Sequence, residues 1–178
     1  MKNKWCVSVA FLFFLVGICI NACTQECNSS NNDRWSEEKI QKWYDDQDWL
    51  IGCNYIPATA INQIEMWSAD TFNPKQIDKE LSWAHDLGFN TLRVFLSSVV
   101  WKNDAKGMKK RMDEFLNICK KYSIRPMFVF FDDCWNAESA YGKQPELKPG
   151  VHNSGWVQDP SCSLRKDTLT LYPFLQEY

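Results

Sequence analysis

Two segments restrict the fold of this chain more than anything else in it: Thr91-Leu-Arg-Val-Phe-Leu96 and Arg125-Pro-Met-Phe-Val-Phe-Phe131. Each is a short run that is apolar at nearly every position. A strand with one face in water alternates apolar and polar residues. A strand covered on both faces reads as a continuous apolar run, and such strands belong to parallel sheets. Between the two, residues 107–122 set Met108, Met112, Phe115 and Cys119 on one stripe at helical spacing. Strand, helix and strand in this order form a crossover that returns the chain parallel to itself.

An earlier unit of the same kind comes first. Residues 49–55 read as a strand stopped by Pro57, and a loop follows to Phe72. Asn73 is then placed to cap a helix with Pro74 at its first position, and Gly88 lies just past its end. Ile77, Leu81, Ala84 and Leu87 make the buried stripe of that helix, with Lys79 and Glu80 away from it. After the third strand, residues 132–165 form a long loop, and a further helix begins near Asp167. The alternation predicts an α/β fold with parallel strands. A barrel and a flavodoxin-like open sheet both fit it. Nucleotide-binding open sheets carry a glycine-rich or acidic cluster after the first strand. Here that strand ends Asn54-Tyr55-Ile56-Pro57.

The N-terminus has a different character. Lys2 and Lys4 precede an apolar run over residues 7–20, shorter than the roughly 20 residues of a membrane span and suited to a secretory signal. Ile20-Asn21-Ala22-Cys23 resembles the lipobox of bacterial lipoproteins, in which the cysteine becomes the lipidated N-terminus. The resemblance implies a lipoprotein signal peptide over residues 1–22, lipidation at Cys23 and export to the cell envelope. Thr24 in place of an aspartate points to the outer membrane. An ordinary cleaved signal and an uncleaved anchor are the alternatives. Residues 23–35 form a polar tether without the composition to bury a core. The domain is assigned to 36–178, opening on a short helix capped by Ser36 and running to about Asp46.

Composition narrows the function classes. A net charge of −2 supplies no electrostatic footprint for nucleic acid, and no phosphate-cradling glycine loop supports a nucleotide cofactor. No cofactor is expected. Cys53 and Cys119 read as small buried hydrophobes. Cys134 and Cys162 bracket the long loop and are spaced so that they could pair in an exported protein. Together with His152 their spacing fits no common zinc pattern.

Arg93 is the sharpest residue. Thr91, Arg93 and Phe95 share one strand face, which puts the arginine inside the sheet or barrel. A buried guanidinium needs a carboxylate partner. One reading has Arg93 hold a catalytic carboxylate from another strand. The other has it in a structural ion pair, or exposed at a strand end. Asp132 and Asp133 end the third strand, as substrate-binding acids or as a solvated turn. Their adjacent positions point to opposite faces, so they are no acid/base pair by themselves. Trp67, Trp101, Trp135 and Trp156 each follow a strand. In a parallel sheet all four fall on one rim, where flat apolar rings with a polar N–H suit stacking on a pyranose. Packing is the plainer role for any one of them.

Residues 49–178 resemble the N-terminal part of clan A glycoside hydrolases, most closely the cellulase-type glycoside hydrolase family 5. The resemblance is carried by Trp49-Leu-Ile-Gly-Cys-Asn-Tyr55, by Leu87-Gly-Phe-Asn-Thr-Leu-Arg-Val-Phe-Leu96 and by the third strand with Asp132-Asp133-Cys134-Trp135. Gly155-Trp156 and Tyr172-Pro-Phe-Leu-Gln-Glu-Tyr178 are similar to later family segments. It implies a (β/α)8 TIM barrel, of which this chain holds the N-terminal part, about three βα units. It further implies retaining hydrolysis of β-linked polysaccharides by two glutamates. Arg93 matches the arginine that binds the nucleophile. Asn54, Trp67, Trp101, Asp132, Asp133, Trp135 and Trp156 would line the substrate groove, with a β-linked oligo- or polysaccharide as partner. The chain lacks the family's Asn-Glu pair and stops before a fourth strand. Glu65, Glu138 and Glu146 match no catalytic position and read as loop acids. The expectation is a glycosidase relative that is inactive by itself. The alternative is a non-catalytic, surface glycan-binding lipoprotein.

Overall fold

The structure, a computed structural model, describes residues 34–134 and 136–178. The proposed signal peptide, Cys23, residues 23–33 of the tether and Trp135 lie outside the described residues. The chain divides into two compact units, Met1–Gln47 and Asp48–Tyr178, so the second starts inside the span 36–178 assigned from sequence.

In the first unit, α1 (Glu37–Asp45) starts where its cap predicts. Ser36 Oγ accepts from Lys39 N at 3.3 Å, and Glu37 and Glu38 sit in the first turn against the positive end of the helix dipole.

The second unit is α/β, with a three-stranded parallel sheet in the order β1 (Gly52–Tyr55), β2 (Thr91–Phe95), β3 (Arg125–Val129). Helices α2 (Gln63–Trp67) and α3 (Pro74–Asp86) link β1 to β2, and α4 (Ser98–Lys121) links β2 to β3. Helices α5 (Cys162–Lys166) and α6 (Thr168–Glu177) follow the long loop. The sequential order differs from that of a flavodoxin-like sheet, in which the first strand lies between its successors.

Register decides which side chains share a face. Asn54 pairs with Arg93 and Arg93 with Met127; one residue along, Tyr55 pairs with Val94 and Val94 with Phe128. The Tyr55–Val94–Phe128 face is covered by helices. Phe115 of α4 sits 6.2 Å from Tyr55, 5.6 Å from Trp67 and 6.3 Å from Phe128, ring centre to ring centre. Leu92, Val94, Ile77, Leu81, Val100 and Met108 complete this core. The Asn54–Arg93–Met127 face is open among the described residues. The expectation of strands covered on both faces therefore holds on one.

Local signals place the element ends. Asn73 Oδ1 accepts from Gln76 N at 3.1 Å and starts α3. At the other end Gly88, with φ of 85°, donates to His85 O, and Phe89 donates to Ala84 O. That pair of bonds is the Schellman closure, and its left-handed residue favours glycine. Leu87 becomes the cap and is 75% exposed, so it leaves the predicted stripe. Residues 49–51 do not join the first strand, because the Asn90 side chain takes their backbone groups: Ile51 N donates to Oδ1 at 2.8 Å and Nδ2 donates to Trp49 O at 2.8 Å. Helix α4 begins at its Ser97 cap, earlier than the predicted 107. It breaks at Asp104, whose Oδ1 accepts from Gly107 N and recaps the second segment. No helix among the described residues is long and apolar enough to cross a membrane.

Candidate functional site

Parallel strands bring their carboxyl ends to one side of a sheet, where α/β folds place their ligand sites. Here those ends surround a small, half-open cavity of about 50 Å³. Asn54, Tyr55 and Ile56 come from the end of β1, Phe95 from the end of β2, and Asp132 from beyond β3. Gln63 and Met66 of α2, both buried, lie beneath, and Trp156 arrives from the long loop. The walls are mainly apolar, with two amides and one carboxylate among them. The Trp156 and Phe95 rings are 6.0 Å apart and tilted by 55°.

Three of the residues singled out from sequence, Asn54, Asp132 and Trp156, therefore meet at one place. Arg93 stands beside them. Its Nη1 donates to Asn54 Oδ1 at 3.3 Å, and its guanidinium lies 4.5 Å from the Phe95 ring centre. It is exposed, not buried, because no layer covers its face, and it makes no salt bridge among the described residues.

Other candidates are elsewhere. Trp67 is fully buried, donating its Nε1–H to Phe95 O at 2.7 Å, so it supports the end of β2 from within the core. Trp101 packs edge-on against Tyr178 at 5.5 Å, with the Lys109 ammonium 5.0 Å from its ring centre, and takes no part in the cavity wall. Asp133 is exposed and takes no part in the cavity wall; its N–H donates to Asp132 Oδ1 at 2.9 Å, and one of its own carboxylate oxygens lies 3.6 Å from Arg165. The described part of the predicted tryptophan rim thus reduces to Trp156.

Of the described cysteines, only Cys53 differs from expectation. Cys134 and Cys162 are unpaired. The Cys134 thiol donates to Asp132 Oδ2 at 2.8 Å; burial, then that bond to a carboxylate, push its pKa up to about 12. Cys53, on the edge strand β1, is exposed rather than buried. Cys119 is buried as predicted. Among the described residues no group of three or more His, Cys, Asp or Glu is arranged to hold a metal ion.

Two acids gain roles that sequence reasoning missed. Glu65 is a buried clamp, not a loop acid: Oε2 accepts from Ile61 N at 2.9 Å and Oε1 from Gln144 N at 3.2 Å. Asp159 is 3% exposed and pairs in an antiparallel bridge with Asp132. Its carboxylate accepts from Ser98 N at 2.7 Å and from Ser98 Oγ, at the start of α4. Burial raises its pKa to about 6 against the lowering effect of the Ser98 bonds, and the Asp132 charge adds to the rise. Ser97-Ser98 ahead of an apolar run signals a helix start, but nothing local pairs that start with a residue 61 positions later.

None of the comparisons made with known proteins, whether with family models, curated proteins or solved structures, returns a match to this chain.

Proposed function

We propose that this chain is the substrate-groove part of a (β/α)8 glycoside hydrolase, binding a β-linked oligo- or polysaccharide at the carboxyl ends of its strands. The observation that carries the reading is the convergence of Asn54, Asp132 and Trp156 on one cavity with Arg93 beside it. Sequential strand order, one open sheet face and strand edges available for pairing are what a barrel would need of its first strands. Among the described residues no glutamate lines the cavity, and the reading is of a chain that holds sugar without by itself cleaving it. Arg93, in contact with the groove residue Asn54, would orient the nucleophilic glutamate of such an enzyme. The lipid anchor and the outer-membrane location belong to the same proposal and rest on residues 1–24.

Cavity size sets the strength of binding. Small-molecule sites usually enclose roughly 300–1,000 Å³. A cavity of about 50 Å³ has room for the hydroxyl-bearing edge of one sugar, whose ring would rest against Trp156 in the cavity wall. Such a contact gives a Kd on the order of millimolar, about −4 kcal/mol. Calorimetry or ligand-observed NMR with gluco-, manno- and xylo-hexaoses tests this. Trp156→Ala should weaken the preferred sugar by roughly tenfold, or ~1.4 kcal/mol, with no reducing sugar released by either protein. Binding indifferent to Trp156→Ala, or brisk hydrolysis by the chain alone, would refute the reading.

A further inference from the structure

The long loop after β3 carries Trp156 to the cavity, and the carbonyls on either side of that tryptophan are each held by a buried side chain of the β1–α2 corner. Asn62 Nδ2 donates to Gly155 O at 3.0 Å and to Gln144 Oε1 at 3.0 Å. Gln63 Nε2 donates to Val157 O at 2.9 Å. Asn62 is 0% exposed and Gln63 is 6% exposed, so these bonds form out of water, where an unmatched partner is expensive. Gly155 permits the approach: a Cβ there would come within 2.6 Å of both Ile61 Cγ2 and Leu147 Cδ2.

We propose that Asn62 and Gln63 are positioning residues that fix the Trp156 ring at the cavity by clamping the carbonyls of Gly155 and Val157. Asn62 divides its amide between two tasks. Oδ1 caps α2, accepting from Ile64 N at 3.0 Å and Glu65 N at 3.4 Å, while Nδ2 faces the loop. The geometry ties the helix start and the tryptophan to a single side chain. The inference rests on the proposed sugar site for its purpose, and on the hydrogen bonds alone for its mechanics.

The two are separable by labelling the full chain with 5-fluorotryptophan and assigning the Trp156 and Trp67 resonances with Trp156→Phe and Trp67→Phe. Asn62→Asp keeps the capping oxygen and removes the donor, and Gln63→Met keeps length and removes the donor. Each should shift or broaden the Trp156 line while the Trp67 line, from the buried last residue of α2, stays in place. A general loss of structure would move both. Each should also weaken hexaose binding by at least threefold. An unmoved Trp156 line in both variants, or Trp156 and Trp67 lines moving together in both, overturns the proposal. If Asn62→Asp does not fold, Gln63→Met and Gly155→Ala decide it: Gly155→Ala leaves both amides intact and displaces the loop, so it too must move Trp156. A Trp156 line that responds in a protein that binds no hexaose keeps the clamp and removes the sugar site.

Discussion

Replacing Asp159 by asparagine tests the account of the loop anchor. The carboxyl is almost fully buried and its pKa rises from an ordinary 3.8 to about 6. The folded protein therefore holds that proton more tightly than the unfolded chain. Stability from this group is fully present below about pH 4 and is lost as pH rises through about 6. The difference of the two values, at ~1.4 kcal/mol per pH unit, amounts to about 3 kcal/mol; roughly 2 kcal/mol of it falls between pH 4.5 and 7.5. The asparagine oxygen can still accept from Ser98 N, so the variant keeps an anchor without a charge to bury. Urea unfolding of both proteins, followed by tryptophan fluorescence across that range, isolates the effect in their difference. Acids whose pKa is lowered, such as Asp78, Asp104 and Asp167, titrate in both proteins alike and cancel. The variant should gain on the wild type as pH rises and level off above pH 7. A difference independent of pH, or a 13C titration of the Asp159 carboxyl with its midpoint near 4, would show that the anchor is not a buried charge.

Trp67→Ala should cost on the order of 3–5 kcal/mol, because it empties the centre of the aromatic core; near-UV circular dichroism should show general loss of packing. A folded variant impaired only in sugar binding would return Trp67 to the groove. Alkylation at pH 8 followed by mass spectrometry should modify Cys53 first, because it is exposed, although partial burial raises its thiol pKa as well. It should modify Cys119 and Cys134 slowly until denaturant is added, since burial raises both thiols to about 12. A cross-linked Cys134–Cys162 peptide in an unreduced digest would contradict the unpaired thiols.

Sequence by itself determined the features governed by neighbouring residues. The Ser36 and Asn73 caps, the Gly88 stop, the stripe of Met108, Met112, Phe115 and Cys119 and the face shared by Arg93 and Phe95 all follow from backbone periods and local hydrogen bonds. The α/β class with parallel strands follows from the alternation of those elements. Part of the site was legible too, since residues at the ends of parallel strands must fall on one side; that is why Asn54, Asp132 and Trp156 could be singled out. Tertiary structure alone decided the rest. Whether a tryptophan after a strand faces ligand or core depends on what packs beside it, and Phe115, distant in sequence, claims Trp67. Whether Arg93 and Cys53 are buried depends on which faces and edges of the sheet are covered, a property of the assembled layers. The bonds that hold Trp156 and Asp159 join residues 61 to 94 positions apart. Such pairings leave no periodicity in the chain, because each is fixed by folding and not by any preference of the residues that form it.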